Sequence, residues 1–76
     1  MKELLEVLAK NLVSNPAEVE VTETKNGDGV LLELKVLPED MGKVIGKQGR
    51  IAKSIRTIVK TLAIHKNERV TIEIAQ

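Results

Sequence analysis

The sequence predicts an α+β domain in which a three-stranded mixed sheet is covered on one face by three helices. Three observations lead there. Residues 18–24 and 30–37 alternate with period two around the turn signal Asn26-Gly27-Asp28-Gly29, which reads as a β-hairpin. Apolar residues recur at helical spacing before this hairpin and again after residue 50. A third period-two stretch, residues 69–75, follows the second helical one, so it returns through a crossover and is expected parallel beside the second strand, with a right-handed connection.

In chain order, Leu4, Leu5, Leu8 and Leu12 mark a first helix over residues 2–13, which Ser14-Asn15-Pro16 ends. In the hairpin, Val30, Leu32, Leu34 and Val36 share the face expected to be buried. Pro38-Glu39-Asp40 suits the first turn of a short helix, where proline lacks only an unneeded N–H and carboxylates oppose the dipole. That helix is expected to end near Ile45. Ile51, Ile55, Ile58, Val59 and Leu62 then form one apolar stripe of a long helix, widened by Ala52 and Ala63. Lys53, Arg56 and Lys60 share a second face, and Arg50, Ser54, Thr57 and Thr61 a third. Residues 65–68 are a polar connection, and Val70, Ile72 and Ile74 point inward from the last strand.

Seventy-six residues form a single domain, 1–76, with room for one site. There is no cysteine, which excludes disulfides, thiolate catalysis and cysteine–zinc sites and agrees with a reducing compartment. No apolar run approaches the roughly 20 residues that span a bilayer, so a cytoplasmic protein without membrane attachment is expected. The formal net charge of +1 hides a strong asymmetry, −5 over residues 1–40 and +6 over residues 41–76. Between Met41 and Asn67 lie seven basic residues and no acidic one, an oriented patch for a polyanion.

The segment Val44-Ile45-Gly46-Lys47-Gln48-Gly49-Arg50 gives that patch a centre. Glycines at 46 and 49 permit left-handed backbone, letting a sugar-phosphate strand reach the amides, while Lys47 supplies charge. Arg50 opens the long helix, whose N-terminal N–H groups favour an anion. A Walker A loop is excluded because Gly42 and Gly46 enclose three residues and Gln48 stands where Ser or Thr would bind magnesium. A dinucleotide fingerprint is excluded because no third glycine follows in register and no strand directly precedes the loop.

This element order, with Asp40-Met41-Gly42-Lys43-Val44-Ile45-Gly46-Lys47-Gln48-Gly49-Arg50 and Ile55-Arg56-Thr57-Ile58-Val59, resembles the type II KH fold of the KhpA-like family of small bacterial RNA-binding proteins. The resemblance covers the whole chain. It implies a single-stranded RNA binder, an RNA chaperone that forms a homodimer or pairs with a KhpB-like KH protein. It places RNA against Lys43, Val44, Ile45, Gly46, Lys47, Gln48, Gly49, Arg50, Ile51, Lys53 and Ser54, with Thr71 and Ile72 of the last strand completing an apolar groove for bases. Phe, Tyr and Trp are absent, so no aromatic platform is available and recognition is expected to be weak and permissive.

An enzyme is not expected. His65 is the only histidine and sits at a helix end, where it interacts with the dipole, so neither a catalytic pair nor a histidine metal cluster can form. Ser14 and Ser54 lack a nearby base, Glu18 and Glu20 read as solvated, and no cofactor, metal or small-molecule substrate is implied. The alternative is a protein-interaction or dimerisation module that binds RNA or single-stranded DNA weakly. Its interface would be the surplus apolar surface of the long helix at Ile58, Thr61 and Leu62, with Ile64 nearly opposite.

Overall fold

The computed structural model describes residues 1–27 and 29–75, leaving Asp28 of the expected turn and Gln76 outside the described residues. In chain order the elements are α1 (Lys2–Lys10), a 3₁₀ turn (Pro16–Glu18), β1 (Glu20–Asn26), β2 (Gly29–Lys35), a second 3₁₀ turn (Pro38–Asp40), α2 (Met41–Ile45), α3 (Arg50–His65) and β3 (Arg69–Ala75). The strands lie in the order β1-β2-β3. β1 pairs antiparallel with β2, and β2 parallel with β3, as the crossover requires.

One sheet face is buried and the other open. Val21 of β1, Val30, Leu32 and Leu34 of β2, and Val70 and Ile72 of β3 join Leu5 and Ala9 of α1, Val44 of α2, and Ile55, Val59 and Ala63 of α3 in one core. The opposite face carries Thr22, Thr24, Glu33, Lys35, Thr71 and Glu73, all exposed, with half-buried Leu31 among them. β1 is a sheet edge, and only Val21 within it is buried.

Several boundaries differ from expectation for local reasons. α1 stops at Lys10 because the Asn11 side chain turns back to donate to the Val7 carbonyl at 2.7 Å. Leu12 and Val13 follow the helix end but still pack partly against the core. Pro16 starts a 3₁₀ turn, which delays the first strand from residue 18 to Glu20. β2 ends at Lys35, although Val36 remains buried with its amide donating to the Ala75 carbonyl at 3.3 Å. On α3 the buried face is Ala52, Ile55, Val59 and Ala63. Ile58 and Leu62, expected within the covered stripe, lie at its margin and are 44% and 41% exposed.

Candidate nucleic-acid interface

The loop between α2 and α3 is built from left-handed backbone. Gly46 has φ 76° and ψ 176°, Gln48 φ 58° and ψ 26°, and Gly49 φ 73° and ψ 13°. The Gly46 amide closes α2 on the Gly42 carbonyl at 2.9 Å, and the Gly49 amide bonds the Gly46 carbonyl at 3.1 Å. The loop is four residues long, and α3 begins at Arg50 with no side-chain cap over its first amides. Those uncapped donors, with the positive end of the helix dipole, are the anion-seeking part of the site. Left-handed angles at both glycines match the sequence reading. Gln48 was not foreseen there, because only glycine adopts such angles without strain.

The two glycines do different work. A Cβ on Gly46 would stand 2.5 Å from Cγ1 and 2.8 Å from Cβ of Ile51, so its backbone is packed against the first turn of α3. A Cβ on Gly49 would meet nothing within 4 Å, which leaves that backbone open to an approaching strand. Lys47 and Gln48 are exposed at the tip, and the Arg50 guanidinium donates through Nη2 to the Gln48 Oε1 at 3.2 Å.

The basic residues extend the site along α3. Lys53, Arg56 and Lys60, all exposed, fall on one flank of the helix by their spacing. That flank borders β3, because Lys60, Ala63 and Ile64 line a hollow of about 240 Å³ together with Glu68, Arg69 and Val70. Arg56, Lys60, Ile64 and Arg69 were not singled out as site residues from sequence; their shared location depends on β3 packing beside α3. Ile51, Ile58 and Leu62 cluster on the opposite flank, within about 40° of one another at 100° per residue.

Lys43 is placed differently from the other cations. Its ammonium lies 3.6 Å from Asp40 Oδ1 and donates to the Ser14 hydroxyl. Asp40 is the buried charged residue at this junction, 1% exposed. Its carboxylate accepts from the Ser14 amide at 3.1 Å, the Asn15 amide at 3.2 Å and the Asn15 side chain at 3.1 Å. Burial pushes the carboxyl pKa up, but the Asn15 side chain, the two amides and the Lys43 charge together hold it below the ordinary value of 3.8. The junction fastens the α1–β1 connection to the start of α2, six residues before Gly46.

Other candidates separate by burial. Val44 is fully buried in the core and cannot touch a ligand directly, which corrects its assignment as an RNA contact. Ile45 and Ile51 are half-buried beside the loop and remain accessible. Thr71 faces the open side of the sheet and Ile72 is core, so these two do not complete a groove with the loop. Ser54 donates to the Arg50 carbonyl at 3.0 Å, Thr57 to Lys53 at 3.0 Å and Thr61 to Thr57 at 2.8 Å, leaving each hydroxyl oxygen free to accept. Among the described residues no group of three or more His, Asp or Glu is placed to hold a metal ion, and no helix is long and apolar enough to cross a membrane.

Comparisons with known proteins agree on one relationship. The sequence profile described as KhpA/KhpB, KH domain, matches residues 2–74. The RNA-binding protein KhpA of Clostridium perfringens (strain 13 / Type A) is 61% identical over 74 residues, covering 97% of this chain and 99% of that protein. The RNA-binding protein KhpA of Aquifex aeolicus (strain VF5) is 45% identical over 76 residues, covering 100% and 96%. A crystal structure of Era, in complex with MgGDPNP and nucleotides 1506–1542 of 16S ribosomal RNA, superposes with a TM-score of 0.65 at 20% identity. The superposition covers 97% of this chain and 28% of that one and speaks for the fold. The relatives are named as binding proteins and not as enzymes. With near-complete coverage in both directions and a profile spanning the domain, the chain belongs to the KhpA/KhpB KH-domain family.

Proposed function

We propose that this protein binds single-stranded RNA by holding the sugar-phosphate backbone on the Gly46-Lys47-Gln48-Gly49 loop. The observation that carries the reading is the exposed left-handed loop at the head of a basic helix flank. Phosphates are received by the open Gly49 backbone and the uncapped first turn of α3, with Lys47 and Arg50 adding charge. Bases lie along the flank of Lys53, Arg56 and Lys60 toward the hollow at Ala63, Ile64 and Val70, while Ile45 and Ile51 provide apolar surface near the loop. With no aromatic side chain, base contacts are aliphatic and tolerant of sequence, as suits a cytoplasmic RNA chaperone.

The exposed margin of α3 favours a second, compatible role. Ile58, Thr61 and Leu62 are all exposed on a flank away from the basic one, where they would join a second copy or a KhpB-like partner without covering the loop. The RNA reading is tested by the double substitution Lys47→Asp, Gln48→Asp, which keeps both glycines and puts two anions against the strand. Fluorescence anisotropy with a mixed-sequence single-stranded RNA should show binding weakened at least about tenfold, an energy of about 1.4 kcal/mol. Unchanged affinity in a variant that melts like the parent would remove the clamp.

A further inference from the structure

A concavity of the described surface lies away from the loop, on the sheet face that no helix covers. It measures about 380 Å³ and is lined by Asn26, Gly29, Val30, Leu31, Arg69 and Thr71. Its chemistry is unlike the rest of that face. Leu31 is the one large apolar side chain there among the described residues, and the sheet register sets it between Thr24 and Thr71. In the next row Gly29, without a side chain, leaves space between Asn26 and Arg69. The result is an aliphatic floor edged by an amide, a hydroxyl and a guanidinium.

Arg69 makes this hollow continuous with the proposed RNA path. It also lines the hollow of about 240 Å³ where Lys60, Ala63 and Ile64 meet the start of β3. A strand running down the basic flank of α3 therefore reaches Arg69 at its far end and can turn over the edge of β3. Beyond Leu31 and Thr71 the next row is Glu33 beside Glu73, which repels a phosphate and closes the site on that side.

We propose that this open-face hollow is a second nucleotide subsite, taking one nucleotide of the single strand that the glycine loop already holds. The inference rests on the clamp reading. Its occupant follows from the lining: a base lies flat on Leu31 and the threonine methyls, its edge meets Asn26 or Thr71, and its phosphate pairs with Arg69. The site lengthens the footprint beyond the roughly four nucleotides of a single glycine-loop clamp.

The test compares fluorescein-labelled oligouridylates of four and eight nucleotides by anisotropy at one fixed salt concentration. A site of about four nucleotides has five registers on the eight-mer, so length alone gives about a fivefold gain. The second subsite adds about another tenfold, the effect of one further charge-assisted hydrogen bond. Thr71→Glu places a carboxylate in the hollow and should return the gain to about fivefold without altering four-mer affinity. Thr22→Glu adds the same charge to the same face outside the hollow and should leave both affinities unchanged. Circular dichroism on each variant secures the fold, and Asn26→Asp replaces Thr71→Glu if the latter melts early. A parent gain of only about fivefold, or equal losses with Thr22→Glu and Thr71→Glu, overturns the subsite. Failure of the parent to bind the four-mer overturns the clamp itself, and the subsite with it.

Discussion

Gly46→Ala is the most demanding test of the loop geometry, because its cost has two separable origins. At φ 76° and ψ 176° the residue occupies a region open almost only to glycine, and any Cβ there is strained by about 1–3 kcal/mol. The added methyl also lands 2.5 Å from Ile51 Cγ1 and 2.8 Å from its Cβ. A rotamer change can move Cγ1, but Cβ is fixed to the backbone, so α3 itself must shift, adding about 1–3 kcal/mol of overpacking. The sum, about 2–6 kcal/mol, compares with a total stability of about 4–11 kcal/mol for a 76-residue domain. For this size it lowers the melting temperature by about 10–50 °C. Gly49→Ala meets the strain without the clash, since φ is 73° but nothing lies within 4 Å, and should cost only about 1–2 kcal/mol. Gly42→Ala, in α2 with open space around it, should stabilise by about 0.4–1 kcal/mol. Because the chain has no aromatic residue, far-UV circular dichroism is the natural probe for thermal and urea melts. If Gly46→Ala melts within about 1 kcal/mol of Gly49→Ala, the close approach of Gly46 to Ile51 is wrong, and with it the account of how α2 is seated on α3.

Three further outcomes follow from other parts of the structure. Asp40 has a depressed folded pKa, so its stabilisation is complete above the ordinary value of 3.8 and is lost as pH falls through the lower folded value. Asp40→Asn should therefore lower the urea midpoint at neutral pH, and the gap from the parent should narrow below about pH 4; a gap constant with pH refutes the assignment. Two to four phosphate contacts on a single strand give a log–log salt slope of about −1.5 to −3, and Arg50→Ala or Lys53→Ala should make it shallower by about one contact, whereas Lys43→Ala should leave it unchanged because Lys43 is engaged at Asp40. Ile58→Asp should yield a folded monomer that melts near the parent, since the side chain is 44% exposed; sedimentation of the parent as a monomer at high micromolar concentration ends the self-association reading.

What the sequence made legible was whatever depends on neighbours along the chain. The hairpin, the alternation of Val30, Leu32 and Leu34, and the positive φ at Gly46 and Gly49 all follow from local rules, and all are present. The centre of the α3 contact was read less well. The stripe read from sequence was too wide: its Ala52, Ile55, Val59 and Ala63 are the buried face, while its Ile51, Ile58 and Leu62 lie at the margin. Asp40 was read as a helix-start carboxylate because nothing nearby announces partners 25 and 26 residues earlier. Val44 was assigned to ligand because a position beside a binding loop looks the same in sequence whether it faces inward or outward. The hollows at Arg69 were invisible for a related reason, since they exist only where β3 lies against both β2 and α3.

The register of the sheet bears on how this surface comes into being. Hairpin pairs such as Asn26 with Gly29 are close in sequence, but each β2–β3 pair joins residues 40 apart, as Val30 does with Val70. Closing so long a segment is slower than closing the hairpin, so β1 and β2 can zip early while β3 docks only after α2 and α3 have packed. The flank of α3 and both hollows at Arg69 share that last-docking strand as a wall. These surfaces therefore depend on the strand pairing with the longest sequence separation in the sheet. A strand of RNA seated there would hold β3 in place, slow its departure and lengthen the life of the native state.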